Sequence, residues 1–276
     1  MTALELVSIP FGAAEPRRER LARVGARAAG VSIAALATAG RLRRLRAGVP
    51  RDRARERALV LRDASRQVLE LHGIELDVSG ALPLGSALLV TNHLSWLDPL
   101  VVASLLPCVP IAKADVSAWP VVGTIARELG VLFIERGDTR SGMRILRGTV
   151  AALGHGLSVL NFPEGTTTRG GSVLAFRRGL FGIARSAGVP VVPMALAYDP
   201  PGLAWVGRDA FLPHWLRLAG RRAARGFVRI GTPLRASDLG SAAELARAAR
   251  AEVIRLLRPM LAHGGRRTEE GRGSGS

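Results

Sequence analysis

The sequence predicts an α/β fold in which a mixed, largely parallel central sheet is flanked by helices and preceded by an N-terminal membrane-associated helical segment. Short, fully apolar segments such as 86–92 and 189–198 have the length and composition of buried strands. Helical segments alternate with them, and this alternation is typical of an α/β sheet. With 276 residues and a hydrophobic fraction of 48%, the chain is large enough for one such domain with a substantial core.

The chain begins with a basic segment that we predict to be helical from Arg17 onward. Its uncharged middle, residues 28–40, has arginines on both sides. The chain contains no run of 18 or more apolar residues, so a full membrane span is not expected, but this middle suits a helix that lies at a membrane surface. A helix buried against the main domain is the alternative. We assign 1–57 to this membrane-association segment, in which no cleavable signal peptide is evident.

The main domain is predicted to cover 58–262, and the low-complexity tail 263–276 is predicted to be disordered. Predicted helices cover 51–72, 98–106, 120–130, 140–154, 177–188 and 237–262, and predicted strands cover 74–78, 86–92, 109–115, 131–136, 158–162, 189–198 and 227–233. Pro190 and Pro193 in the sixth strand favour an edge position or a bulge, and we expect this strand to form a wall of the site.

The composition limits the classes of molecule that this chain is expected to bind. The net charge of +17 suits nucleic acid or anionic lipid. Aromatic residues make up 4% of the chain and none lies in the basic clusters 17–57, which favours lipid, because proteins that stack nucleic-acid bases need aromatic side chains. Part of the arginine and alanine content is also what a biased genomic base composition would give. The single cysteine, Cys108, fits a reducing compartment.

A titratable pair, His93 and Asp98, follows the apolar run 87–90. An imidazole is the commonest general base near neutral pH, and a carboxylate at one ring nitrogen fixes its tautomer. The two side chains can face each other if the chain between them turns into a helix; a chance pairing at this spacing is the alternative. Because the sequence has no G-x-S-x-G turn to supply an enzyme nucleophile, the base would act on a substrate hydroxyl.

Two further polar groups follow predicted strands. Arg136 suits a phosphate or carboxylate ligand, or a surface salt bridge. Glu164 lies on a bend next to Gly165 and suits binding of a polyol or amine, or anchoring of Arg136 or His93; a solvated turn is the alternative. Because polar groups gather where the strands of α/β sheets end, we expect His93, Arg136 and Glu164 to share one site. The remaining histidines are scattered, so no metal site is predicted.

Four ordered blocks resemble the glycerolipid acyltransferase family, of the 1-acyl-sn-glycerol-3-phosphate (lysophosphatidic acid) acyltransferase type. The family patterns N-H-x-x-x-x-D, G-x-x-F-I-x-R, F-P-E-G-T and V-P-V-x-P correspond here to NHLSWLD at 92–98, GVLFIER at 130–136, FPEGT at 162–166 and VPVVP at 189–193. The resemblance covers roughly residues 60–235 and leaves the N-terminal helices and the tail outside.

This resemblance implies an acyltransferase domain at 58–262 that moves a fatty acyl group from acyl-CoA or acyl carrier protein directly to a lysolipid hydroxyl. It implies no cofactor and no acyl-enzyme. His93 would take the proton from the hydroxyl with support from Asp98, and amides near a helix N-terminus would stabilise the oxyanion. The resemblance also implies that Arg136, Glu164, Gly165 and Thr166 bind the acceptor. The expected location is an anionic membrane surface, at the cytoplasmic face of the inner (plasma) membrane, without nucleic acid.

One departure bears on the acceptor. Lysophosphatidate enzymes of the family typically have F-P-E-G-T-R-S, whereas Thr167 stands here at the arginine position and Arg169 follows. The change weakens the case for a phosphate-monoester acceptor, and segments 111–123 and 162–181 look closer to the lyso-ornithine lipid acyltransferase branch. Further contacts to the acceptor or to anionic lipid are expected from Asn92, Lys113, Arg169, Arg177 and Arg178. The alternatives are another lysophospholipid acyltransferase, a thioester hydrolase, or a basic lipid-binding module without catalysis.

Overall fold

A computed structural model describes residues 15–45, 50–135, 137–207 and 209–270. The helices are α1 (Arg17–Leu45), α2 (Pro50–Leu71), α3 (Asp98–Leu105), α4 (Ala114–Ser117), α5 (Val122–Glu128), α6 (Thr139–Gly154), α7 (Gly179–Ser186), α8 (Phe211–Ala219) and α9 (Ala242–Glu270). The strands are β1 (Ile74–Ser79), β2 (Leu88–Thr91), β3 (Cys108–Lys113), β4 (Leu132–Ile134), β5 (Ser158–Asn161), β6 (Val191–Asp199) and β7 (Ala224–Ile230).

Within these residues the strands form one seven-stranded sheet in the order β1-β7-β6-β2-β5-β3-β4. β2 is parallel to β5 and β6, and β3 is parallel to β4 and β5. The exception is β7, which is antiparallel to β6 and parallel to β1. The carboxyl ends of β2 to β6 therefore meet at one edge of the sheet, and the predicted mixed, largely parallel sheet with flanking helices is confirmed.

The predicted edge or bulge position of the proline-containing strand is wrong. β6 lies inside the sheet, paired with β2 on one side and with β7 on the other. Pro190 precedes the strand, and the ladder to β7 begins only at Met194, where it pairs with Ile230. The carbonyl of Pro193 accepts from the amide of Gly231 at 2.8 Å, so the nitrogen of Pro193 faces the end of that ladder. The missing N–H therefore costs no bond within the ladder.

Helices cover both faces of the sheet with different sets of apolar side chains. On one face, α1, α2, α3 and α8 contribute Leu42, Leu61, Val102 and Leu218 to the core. On the other face, α6, α7 and α9 contribute Ile145, Phe181 and Ala249. The sheet therefore separates α1 from α7 and α9.

A buried arginine holds α1 on the domain. Arg27 is 7% exposed and donates hydrogen bonds at 2.6 to 3.3 Å to four backbone carbonyls at the C-terminal end of α8 and just after it, those of Leu218, Ala219, Arg221 and Arg222. The last carbonyls of a helix have no partners within the helix, so the guanidinium satisfies them and gains bonds that offset the cost of burying its charge. Burial lowers the pKa of Arg27.

The opposite face of α1 is apolar and exposed. Arg27, Ala34 and Thr38 are buried on one side of the helix, and at 100° per residue Ile33 and Leu36 point to the other side. Ile33 is 64% and Leu36 75% exposed. Among the described residues, one helix, α1, is long and apolar enough to cross a membrane, judged by length and composition alone. The predicted position at a membrane surface stays a prediction.

Three features differ from the sequence-based outline or fall outside it. α8 was not predicted, because Phe211–Ala219 is short and carries Pro213, although proline is tolerated in the first turn of a helix. The boundary between 57 and 58 falls within α2. α9 continues to Glu270, into the predicted tail, and residues 1–14 and 271–276 lie outside the described residues.

Candidate active site

His93 and Asp98 are in contact at the carboxyl edge of the sheet. β2 ends at Thr91, and Asp98 is the first residue of α3, so the intervening turn brings the two side chains together. Nδ1 of His93 lies 2.7 Å from Oδ2 of Asp98. The Asp98 side chain is fully buried, whereas the His93 side chain is 21% exposed. This places the imidazole, and not the carboxylate, at the surface of the site.

The surroundings of Asp98 determine the tautomer of His93. Oδ2 of Asp98 also accepts from the amides of Leu94 at 2.6 Å and Ser95 at 2.9 Å, and Oδ1 accepts from the hydroxyl of Tyr198 at 2.6 Å. A carboxyl group that already accepts from these three donors acts only as an acceptor, as the ionised form does. Nδ1 of His93 must then carry the hydrogen, and Nε2 is left with the lone pair. His93 is thus held in the form that can accept a proton.

Tyr198, on β6, was missed in the sequence analysis. It is 8% exposed, and burial together with the neighbouring Asp98 carboxylate raises the pKa of its phenol well above the usual value. It therefore stays protonated and donates to Asp98 at neutral pH. One signal was available: this is the single tyrosine of the chain, it lies in an apolar strand, and a buried tyrosine hydroxyl usually needs a partner.

Glu164 holds the backbone of His93. Its Oε1 accepts from the amide of His93 at 2.9 Å, and its Oε2 accepts from the amide of Leu174 at 2.8 Å. Glu164 is 5% exposed, and burial raises the pKa of its carboxyl although both amides oppose this. Of the contacts considered for Glu164, the structure contains the one to His93. The His93 ring also stacks on Phe162, with 4.1 Å between ring centroids.

The loop after β5 packs against His93 and requires a glycine. Gly165 has φ of +72°, a conformation that strains any residue with a Cβ, and a Cβ there would lie 2.9 Å from Nε of Arg177, whose flexible side chain would have to shift. The amide of Thr168 donates to the carbonyl of His93 at 2.8 Å. Thr166 and Arg169 are exposed on the same loop. The loop that carries the predicted residues is thus bonded to the backbone amide and carbonyl of His93.

The remaining predicted residues lie in different settings. Asn92 was expected to contact the acceptor or lipid, but it is 1% exposed and its amide group is bonded to the backbone of Leu196 at 2.8 and 2.9 Å, which ties β2 to β6. Lys113 ends β3 at the same sheet edge, is exposed and forms an ion pair with Asp115. Arg136 lies outside the described residues, two positions after β4 ends at this edge.

An aromatic wall stands beside the His93 turn. Trp96 contacts Phe211, Phe211 contacts Trp119, and Trp119 contacts Trp205, with ring centroids 4.4 to 5.9 Å apart. The amide of Trp205 donates to the carbonyl of Leu94 at 2.8 Å, and the indole of Trp96 donates to Nδ1 of His214 at 3.0 Å. The wall was not predicted because two of its three ring contacts are made by Phe211, on α8.

In the part of the chain that the structure describes, no group of three or more His, Cys, Asp and Glu residues could hold a metal ion. The cysteine cannot replace the imidazole as a reactive group, because Cys108 is buried and burial raises the pKa of its thiol to about 12. That the reaction needs no metal and no cofactor stays a prediction.

Known proteins are similar to this chain in sequence. A family model described as Acyltransferase matches residues 74–197. A lyso-ornithine lipid O-acyltransferase from Pseudomonas aeruginosa is 40% identical over 190 residues, which are 66% of this chain and 71% of that protein. One from Rhizobium meliloti is 35% identical over 208 residues, 68% of each chain. A 1-acyl-sn-glycerol-3-phosphate acyltransferase from Neisseria meningitidis is 34% identical over 163 residues, 58% of this chain and 62% of that protein.

A solved structure is similar to this chain in fold. The crystal structure of the 1-acyl-sn-glycerophosphate (LPA) acyltransferase PlsC from Thermotoga maritima has a TM-score of 0.69 to this chain. The match covers 89% of this chain and 98% of that one, at 21% sequence identity. At that identity the similarity establishes the fold alone.

Proposed function

Because this chain belongs to the acyltransferase family, we propose that it transfers a fatty acyl group from a thioester of CoA or acyl carrier protein to the hydroxyl of a lysolipid. Membership confirms the resemblance drawn from the four sequence blocks, and it makes the chain an acyltransferase. The observation that carries the proposal is the His93–Asp98 contact of 2.7 Å, with Nε2 of His93 as the basic nitrogen.

In the proposed reaction, Nε2 of His93 takes the proton of the lysolipid hydroxyl while its oxygen attacks the thioester carbonyl. The buried Asp98 carboxylate stabilises the imidazolium that forms. The tetrahedral intermediate collapses, the carbon–sulfur bond breaks, and the departing thiolate takes the proton from His93. A thioester is already activated, so a positioned base is sufficient and no acyl-enzyme is needed. The aromatic wall offers an apolar surface to the acyl chain.

Lyso-ornithine lipid is the acceptor that we favour. Two of the relatives bear the name lyso-ornithine lipid O-acyltransferase, and Thr167 replaces the arginine typical of lysophosphatidate enzymes. We assign acceptor contacts to Arg136, Gly165, Thr166, Lys113 and Arg169, three of which belong to the loop that bonds to the His93 backbone. Glu164 contributes by holding the His93 backbone. Lysophosphatidate, the acceptor in the name of the Neisseria relative, is the second acceptor to test.

An acyl-transfer assay over an acceptor panel tests this function. The purified enzyme is given acyl-CoA or acyl carrier protein thioester with lyso-ornithine lipid, lysophosphatidate or no acceptor, and both acylated lipid and free fatty acid are measured. We expect acylated product only with an acceptor, and a higher kcat/KM for lyso-ornithine lipid. Release of free acid at equal rates with and without lysolipid would instead identify a thioester hydrolase, and the proposal would be wrong.

We further propose that the enzyme works at an anionic membrane surface, at the cytoplasmic face of the inner membrane. The outer face of α1 supports this, because Ile33 and Leu36 are exposed there between arginine-rich ends. The buried Arg27 on the other face fixes this apolar strip relative to the site.

The double variant Ile33→Glu/Leu36→Glu is expected to lower the affinity for anionic vesicles about a hundredfold, because two apolar side chains no longer enter the bilayer and two negative charges oppose it. Co-sedimentation with vesicles measures the change. Leu84→Glu/Val150→Glu is the matched control, since both residues are exposed and lie outside α1. Equal binding of the two double variants would exclude this role of α1.

A further inference from the structure

Three arginines surround a groove on the face of the sheet that α7 and α9 cover. The groove has a volume of about 280 Å³ and an apolar floor formed by Phe176 and three alanines, Ala175, Ala243 and Ala246. The arginines are Arg178, which directly precedes α7, and Arg247 and Arg250 on α9. No Asp or Glu lines the groove, whose residues all belong to the described part of the chain. Its charge therefore suits an anion.

We propose that this groove binds the phosphate of the phosphopantetheine arm through which the acyl donor carries its thioester. The inference rests on the proposed function, since it requires a thioester donor. Acyl-CoA and acyl carrier protein share this phosphate. A guanidinium binds phosphate through paired hydrogen bonds, and the apolar floor accommodates the aliphatic part of the arm.

The arginines of the groove form no ion pair within the described part of the chain. Among the described residues, no carboxylate lies within ion-pair distance of Arg178, Arg247 or Arg250. Arg250 instead donates to the carbonyls of Val173 at 2.6 Å and Leu174 at 2.9 Å, which fixes its guanidinium. Three like charges around one depression repel each other, and a bound anion relieves this repulsion.

A short series of hydrogen bonds connects the groove to His93. Leu174, whose carbonyl accepts from Arg250, donates its amide to Oε2 of Glu164, and Oε1 of Glu164 accepts from the amide of His93. The loop 162–178 leaves β5 at the carboxyl edge of the sheet, so α7 and Arg178 begin at the edge where His93 lies. A donor phosphate held in the groove is therefore close enough for the arm to reach the imidazole.

The position of the groove favours a donor over a lipid headgroup, so we reassign Arg178, for which the sequence suggested a contact to the acceptor or to anionic lipid, to the donor. α1, with the exposed Ile33 and Leu36, packs on the face of the sheet opposite to α7 and α9. Acyl-CoA and acyl carrier protein are water-soluble, whereas the lysolipid arrives from the membrane. The two substrates would then approach from opposite faces of the sheet and meet at His93.

Removal of the arginine charges tests the inference. Arg178→Gln and Arg247→Gln are each expected to raise KM about tenfold for acyl-CoA, acyl carrier protein thioester or both, because each removes one charge-assisted contact to phosphate. The donors that respond identify the source of the phosphate. With a pantetheine thioester that lacks the phosphate, both variants are expected to have the kcat/KM of the wild-type enzyme. With every donor, both variants are also expected to keep the wild-type kcat and the wild-type KM for the acceptor.

The matched control is Arg147→Gln, which removes a charge from an exposed residue of α6 on the same face of the sheet but outside the groove. Binding of CoA and of holo acyl carrier protein, measured by calorimetry, gives a readout that needs no turnover. If the wild-type enzyme transferred no acyl group, the proposed function would fall, while the calorimetry would still decide the inference. The inference would be overturned if Arg178→Gln and Arg247→Gln had the same donor KM values and donor affinities as Arg147→Gln. It would also be overturned if these two variants lost only vesicle binding.

Discussion

His93→Ala is expected to lower acyl transfer about a thousandfold while the protein remains folded. The substitution removes the basic nitrogen, and a positioned general base typically contributes a factor of this order. The backbone of the variant keeps its contacts, because Glu164 and Thr168 bond to the His93 amide and carbonyl and not to the ring. Turnover with saturating donor and acceptor measures the effect, and circular dichroism with thermal unfolding reports on the fold.

The stability cost of this variant should be small. The ring gives up its stacking on Phe162 and its bond to Asp98, but it is already 21% exposed. The matched control is His155→Ala, at an exposed histidine next to the end of α6, which should keep wild-type turnover. A folded His93→Ala enzyme with wild-type turnover would show that another group takes the proton, and the assignment of His93 as the base would be abandoned.

The sequence was sufficient to predict the strands of the sheet and the contact between His93 and Asp98, because both depend on local patterns. Short apolar runs predicted the buried strands, and the exit of β2 into a turn before α3 brought His93 to Asp98. The position of β6 was predicted wrongly because the rule that proline disfavours a central strand considers only the residue itself. The effect of Pro193 depends on where the ladder to β7 begins, and the sequence alone does not specify that register.

The contacts that could not be predicted from the sequence join segments that are far apart along the chain. Tyr198 bonds to a residue 100 positions earlier, and Arg27 bonds to carbonyls more than 190 positions later. Glu164 had several possible partners in the sequence, and only the packing of its loop against β2 selects the amide of His93. Such pairings follow from topology, whereas motif spacing reports only on neighbours along the chain.

Asp98→Asn is expected to lower turnover by about a hundredfold to a thousandfold with little change in fold. An asparagine can direct its carbonyl oxygen toward the amides of Leu94 and Ser95 and its NH₂ toward the hydroxyl of Tyr198, which can rotate to accept. The bond to His93 is then kept, but the charge that stabilises the imidazolium is lost. Steady-state turnover at saturating substrates, compared with the wild-type enzyme, measures this loss.

Two further variants separate charge from geometry. Tyr198→Phe removes one donor to Asp98 and keeps the carboxylate, so turnover should fall by less than about tenfold, whereas the free energy of unfolding should fall by roughly 1 to 2 kcal/mol.

The double variant His93→Ala/Asp98→Asn should be no slower than His93→Ala, because a carboxylate that acts through the imidazole has nothing to support once the ring is gone. Additive losses in the double variant would mean that Asp98 acts on the substrate by another route, and wild-type turnover in Asp98→Asn would remove it from the mechanism.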